Sequence, residues 1–538
     1  MWRTVMFMSC LLATASAAYG QDAGAALAGV ADVEEMNEET VEKYSYLERH
    51  PLRVNYASEQ KLAASGLMSR YQAASLADYR RLHGDILSVA ELAAVDGFGT
   101  AVAESMRPFL SFESLRLPGQ AEKQKKLGQE LELRTACKFP GFTAAGRYKA
   151  EYGESLEAAV SYRDRLNGYL SVCGKRRPWR IIAGSYNARF GQGLTLWSGM
   201  SIGGITTPEA AYKRSSGVSP TWTYSGTGLK GLAASMGIGK IRLSAFGAKD
   251  IAGGNLTWLR HDGEAGFTFK AGPAAQPGES VCKLAGDFKL CVRGIDAFGE
   301  ASWDFSGGCL AALAGAAFPV GEKCRGAMVI RHYPASFDPA GAGAMRSSTK
   351  VTDETGILAT VRHGPLLFSA DAVVRPESGK RQLKLLLQHE WKVSGSITLK
   401  TRAAERLRDY DRRTRTDLRA DLALVGDPLS FNIRMNVLRC RKTGAACYAE
   451  AGYRKEKGTL WLRATAFHVD NWDDRIYVYE RDAPGNFSVP ACYGRGFGLS
   501  AYASAKFGRL RLYLKGGFTA RKEKPGRAEL KFQLDHAF

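Results

Sequence analysis

Beyond its first twenty residues the chain has no run of 18 uninterrupted apolar residues, so no single helix of it can span a bilayer. Any membrane path must be a closed barrel, the other fold that satisfies every backbone polar group in lipid. Zinc-type paired CxxC spacing is missing, although nine of the ten cysteines lie beyond residue 20. His389-Glu390 has no second histidine to complete HExxH, no GxSxG elbow occurs, and the eight histidines are scattered. Asp473-Asp474 has no site around it in sequence and reads as a loop pair. These gaps argue against an enzyme and against any cofactor or metal. Acidic residues are in deficit, 54 against 74 basic, for a net charge of +20. Glycine is plentiful at 59 residues, which suits tight turns and close strand packing.

The charge is unevenly placed. The first 115 residues hold 9 basic and 15 acidic side chains, and the remainder holds 65 and 39. Met1–Gly20 has the form of a secretory signal: Arg3, an apolar run from Val5 to Ala13, and Ala18-Tyr19-Gly20 as cleavage site. Residues 21–48 are polar and acidic and read as a flexible lead-in. Residues 49–112 read as helical. Asn55-Tyr56-Ala57-Ser58 offers cap chemistry before Leu62, and Ser88 with Glu91 makes a capping box. Gly66-Leu67 and Gly97-Phe98-Gly99 interrupt the pattern. A linker spans 113–127.

From 128 to 538 the period changes to two. Phe431, Ile433, Met435 and Val437 alternate with Asn432, Arg434 and Asn436, and Leu510, Leu512 and Leu514 alternate with Arg509, Arg511 and Lys515. Such a polar face rich in Arg and Lys is an unlikely dry core, so it is expected to line a wet lumen. Leu530, Phe532, Leu534 and Phe538 share one face, as in the β-signal of outer-membrane proteins. The expected fold is therefore α+β and multidomain: a small all-α domain, then a large antiparallel transmembrane β-barrel of about 20–24 strands. Turns are expected at Asn167-Gly168, Gly286-Asp287, Gly379-Lys380, Lys457-Gly458 and Gly508. The Gly286-Asp287 turn would set Cys282 opposite Cys291, close enough for a cross-strand disulfide. Cys440 and Cys447 are placed similarly about Thr443-Gly444, at a wider site.

The helical stretch resembles the tandem helix-hairpin-helix domain of ComEA-like competence proteins, through Leu62, Gly66-Leu67, Tyr79-Arg80-Arg81, Gly84, Leu92 and Val95-Asp96-Gly97-Phe98-Gly99. With Phe190–Gly199, Arg475–Glu480, Phe487–Ala491 and Tyr493–Gly496, the whole layout resembles a bacterial family that joins such repeats to an outer-membrane barrel. That resemblance implies an outer-membrane location with the helical domain in the periplasm. It also implies phosphate contacts at Gly66, Leu67, Arg80, Arg81, Gly97, Phe98 and Gly99, although Met68 stands where the first hairpin would carry a second glycine. Residues 51–115 hold only 6 basic against 7 acidic residues, a poor footprint for DNA. In the barrel, Arg402, Arg406, Arg408, Arg412, Arg413 and Arg415 could present a cationic ladder, or sit in a loop paired with Glu405, Asp409 and Asp411. Trp197, Trp222 and Tyr224 lie on a long segment that reads as a lumenal constriction or a surface loop, the lumen being favoured by its Gly, Ser and Thr content and few charges.

The leading expectation is a barrel that binds or translocates an anionic polymer, DNA first. The alternative is that the helical domain is a plug or protein-interaction module of a transport or assembly barrel with no DNA role. Expected partners are outer-membrane lipid, the barrel assembly machinery, a periplasmic protein, and DNA or another anionic polymer.

Overall fold

The computed structural model describes residues 23–114, 127–174, 177–411, 413–522 and 524–538. The signal segment and most of the linker lie outside the described residues.

Period-two alternation becomes an antiparallel barrel of 24 strands, closed by pairing of the last strand, Lys524–Ala537, with the first, Leu127–Lys138. One place in the barrel is shared: Gly217–Pro220 and Leu229–Ile238 both pair with Trp179–Arg189. Phe431, Ile433, Met435 and Val437 are exposed on the outer wall, while Asn432, Arg434 and Asn436 turn inward. The rim that carries Leu127 and Ala537 has short turns such as 239–240, 293–294 and 508–509. The opposite rim carries the long connections 190–216, 334–353 and 470–493. Short periplasmic turns and long outer loops are the outer-membrane pattern, so the chain is an outer-membrane barrel whose N-terminal region enters from the periplasmic side.

Three expected turns are corrected, among them Thr443-Gly444, which opens the strand Thr443–Lys455 after a reversal at 440–442. Gly286-Asp287 lies inside the continuous strand Ser280–Val292, and the chain reverses at Arg293-Gly294. Cys282 therefore pairs with Ala271 and Cys291 with Asp296, so the disulfide cannot form. All nine described cysteines are free. Asn167-Gly168 is likewise within a strand, Leu166–Cys173.

The small N-terminal region is helical. Residues 38–49 form a helix, α1 (Glu38–Arg49), where a flexible lead-in was expected. Asn37 caps it by accepting from the Thr40 amide at 2.9 Å. Then come α2 (Glu59–Ala64) and α3 (Arg70–His83), and α4 (Val89–Ala94) and α5 (Gly99–Met106), as two pairs joined by glycine turns. Ser69 and Gln72 make a full capping box on α3. Leu62, Leu67, Leu76, Leu92, Val102, Met106 and Phe109 bury together, and Tyr44 and Leu47 of α1 join that core. The lead-in is ordered because its carboxylates meet the basic inner wall.

Candidate functional site

The site is the barrel lumen, which the N-terminal region fills. Glu38 to Glu42 on α1 face one side of the wall. Arg163 donates to Glu38 at 2.8 Å, and Arg189 pairs with Glu39. Arg147 donates to Glu42 at 2.5 Å and to Glu132 at 2.6 Å. Lower down, near the periplasmic rim, Lys61 meets Glu151 at 2.8 Å and Arg242 meets Glu59 at 2.6 Å. Arg70 donates to Asn255 at 2.7 Å, and the Tyr71 hydroxyl donates to the His261 carbonyl at 2.7 Å.

The stretch before α1 forms a strap to a different part of the wall. Asp32 accepts from Lys400 at 2.8 Å, from Arg419 at 2.7 Å and from Arg402. Glu34 pairs with Arg434 and Glu35 with Arg402. Ala31 packs against Leu367 and Leu386. The inner face was expected to be wet. Instead many of its cations are buried and held by charge partners, as with Arg147, Arg331 and Lys515, because a buried cation survives only when paired and hydrogen-bonded.

Outer loops complete the closure. Glu300 accepts from the backbone amides of Gln192 (2.6 Å), Leu194 (3.1 Å) and Thr195 (3.1 Å), which pins the turn before Trp197. Asp474 does the same for Cys440, Arg441 and Lys442. Arg147 lies over Trp222 at 4.5 Å, and Tyr224 donates to Glu132 at 3.1 Å, so this segment lies in the lumen. Ile202 and Phe487 of the loops pack on the helical core.

Electrostatics hold the strap charged. Burial opposes ionisation of Asp32, but Lys400, Arg419 and Arg402 outweigh it and keep that carboxyl well below its ordinary range. For Glu34 burial is again outweighed, by Arg434 and Arg419, and its carboxyl sits at about 2 against an ordinary 4.5. A depressed carboxyl stabilises the latched state fully above its unfolded value and loses that contribution as pH falls through the folded value. The strap is therefore expected to stay latched down to about pH 4 and to release toward about pH 2, read as a rise in single-channel current. A channel already open near pH 6 would show that these carboxylates are not held down.

The expected phosphate-contact residues are mostly occupied with the fold. Arg80 donates to the carbonyls of Val54 (2.6 Å) and Ala57 (2.9 Å). Gly66 accepts from Lys43 at 3.2 Å, and Leu67 is buried. Gly97, at φ +83°, sits so close to Tyr71 that an added Cβ would come within 2.4 Å of the ring, and the Phe98 amide donates to the Val95 carbonyl. Gly99 borders open space, and Arg81 is exposed and pairs with Asp78 at 3.2 Å. In the arginine run, Arg402 holds the strap, and Arg408 donates to Gln382 at 2.9 Å. Arg413 meets Asp473 at 3.1 Å, Arg415 donates to the Arg475 carbonyl at 3.4 Å, and Arg406 lines a cavity. Arg412 lies outside the described residues. Sequence reasoning did not pick out Asp32, Glu34, Glu42, Arg147, Arg419 and Arg434 as a site. The signal available was the acidic lead-in set against a basic barrel. Among the described residues no group of three or more His, Cys, Asp or Glu could hold a metal ion.

These contacts overturn the expectation of DNA or another anionic polymer as the handled substrate. Many of the wall cations that would receive a polyanion, such as Arg147, Arg402, Arg419 and Arg434, are neutralised by the chain's own carboxylates, and the amides of Gly66, Leu67 and Phe98 and the Arg80 guanidinium are spent inside the helical region. No family model and no curated protein matches the chain. Similar solved structures include three from Pseudomonas aeruginosa. OccK7 (OpdD) is 10% identical, with 78% of this chain and 99% of that chain covered and a TM-score of 0.32. The outer membrane protein OprD is 9% identical, with 77% and 94% covered and a TM-score of 0.29. OccK2 (OpdF) in complex with glucuronate is 8% identical, with 77% and 97% covered and a TM-score of 0.33.

Proposed function

We propose that this chain is a plugged transport channel of the outer membrane, with no enzymatic role. In this reading residues 23–112 are the plug, an acidic lead-in followed by a tandem helix-hairpin-helix module over 49–112, and the barrel from about residue 127 is the conduit. The observation that carries it is the ring of ion pairs from one short acidic stretch, Asp32 to Glu59, to strands on several sides of the lumen. A barrel of this size has a lumen wide enough for a plug. Solute passage then requires the plug to shift or leave, and ion pairs that exchange for water suit such a reversible latch better than a fused apolar core.

The test is the charge-reversed wall, Arg402→Glu with Arg419→Glu and Arg434→Glu, in planar bilayers. It sets like charges against Asp32, Glu34 and Glu35. Current per channel is expected to rise several-fold, and to fall again when the three strap positions are changed to lysine. An unchanged current in the wall variant would remove the latch from the function.

A further inference from the structure

We propose that Lys400, Arg402, Arg419 and Arg434 form a binding site for a small molecule carrying two or three carboxylates, and that Asp32, Glu34 and Glu35 occupy it as a built-in competitor. The proposal rests on the plug reading and names the substrate class of the same lumen. The four cations come from three adjacent strands, Ile397–Arg408, Arg415–Val425 and Leu429–Arg439. They converge from one wall, so the site is built by the barrel and not by the strap. Arg419 and Asp32 at its centre are both more than nine-tenths buried.

Charge sets the ligand. The wall supplies Asp421, which accepts from Arg419 at 2.7 Å and pairs with Arg434, and Asp417, which borders the same cavity. Four cations against these two carboxylates leave the empty wall with two positive charges. The strap brings three carboxylates within four residues, so it over-neutralises the site by one. A free di- or tricarboxylate meets the same demand with the same oxygen chemistry, including the paired N–H geometry that arginine offers a carboxylate.

Access is present. A cavity of about 820 Å³ borders the strap, with Glu34 and Glu35 on one side and Lys384, Arg402, Arg406 and Arg415 on the wall. That is the size of a small-molecule site. Lys384 and Arg406 point into it with no carboxylate in hydrogen-bond reach among the described residues. An incoming carboxylate thus meets two spare cations before it contests the strap for Arg402 and Arg419.

The experiment is calorimetric titration of the intact, detergent-folded protein with citrate, for the wild type and for Asp32→Asn/Glu34→Gln/Glu35→Gln. Neutralising the competitor is expected to tighten citrate at least tenfold, with inorganic phosphate weaker than citrate by a similar factor. Adding Arg402→Gln and Arg419→Gln to the triple variant should abolish the gain. Asp32→Asn alone leaves two strap carboxylates and is the milder variant, expected to tighten citrate in the same direction by about threefold. Equal citrate affinity in wild type and in whichever of these variants folds would overturn the proposal, as would phosphate binding as tightly as citrate. If the neutral strap raises conductance without tightening citrate, the plug reading stands and this inference falls.

Discussion

Removing residues 23–112 should raise single-channel conductance by on the order of tenfold. Three features set that size. The helical region blocks the periplasmic mouth through Lys61, Arg70 and Tyr71. The strap crosses the lumen to the wall strands that carry Lys400, Arg419 and Arg434. The outer loops also rest on the plug, since Ile202 and Phe487 pack on its core and the Thr206 amide donates to the Gly29 carbonyl at 2.7 Å. Losing the plug therefore opens the inner half and loosens the outer half. The emptied wall holds many cations without partners, so the enlarged pore should select for anions, seen as a shifted reversal potential in a salt gradient. A truncated barrel with wild-type current and no selectivity change would mean that the loops alone close the channel.

Arg147→Met should cost about 3–5 kcal/mol locally, because it takes the ion-pair partner from buried Glu42 and leaves buried Glu132 to Arg134 at 2.6 Å. Arg147 is buried between Glu42 of α1 and Glu132 of the neighbouring strand, and it lies over the Trp222 ring. It joins plug, wall and loop in one contact. The closed barrel ladder does not depend on it, so the loss is expected to appear as local opening of α1 rather than as barrel unfolding. Amide exchange across residues 38–49 should rise by two or more orders of magnitude while the strand amides of 141–152 hold. Arg147→Lys keeps the charge, loses the two-armed geometry, and should fall between the two. Unchanged exchange in α1 would show that this contact does not hold the plug.

Much of the barrel was legible in the sequence because its rule is local. Phe431 to Val437 alternates residue by residue, and lipid outside with polar groups inside leaves no other register. The turns at Gly379-Lys380, Lys457 and Gly508 were legible for the same reason. Gly286-Asp287 misled because glycine within a strand and glycine in a turn look alike in sequence. In the barrel Gly286 stands opposite Phe267, whose ring lies against it, and at Gly168 an added Cβ would come within 2.8 Å of the Ala159 carbonyl oxygen. The helical caps at Ser58 and Ser88 were also local.

The site was less legible. Asp32 meets Arg419 across 387 residues and Glu34 meets Arg434 across 400. No spacing rule links such pairs, and only the gross charge contrast between the two regions hinted at them. The acidic lead-in looked disordered by composition because its partners lie on another part of the chain. Arg80 looked like a phosphate contact because sequence cannot show that Val54 and Ala57 carbonyls already take its donors.

Carbodiimide cross-linking of the unmodified protein in outer membranes tests the plugged lumen most directly, since it joins a lysine amine to a carboxylate only at contact. Lys61 with Glu151 and Lys400 with Asp32, each at 2.8 Å, should appear as linked peptides by mass spectrometry. Lys515 with Glu480, at 2.9 Å within the barrel, is the internal control. Both plug-to-wall links together with the control are the expected result. The control link without either plug-to-wall link would place the N-terminal region outside the lumen and contradict the channel described above.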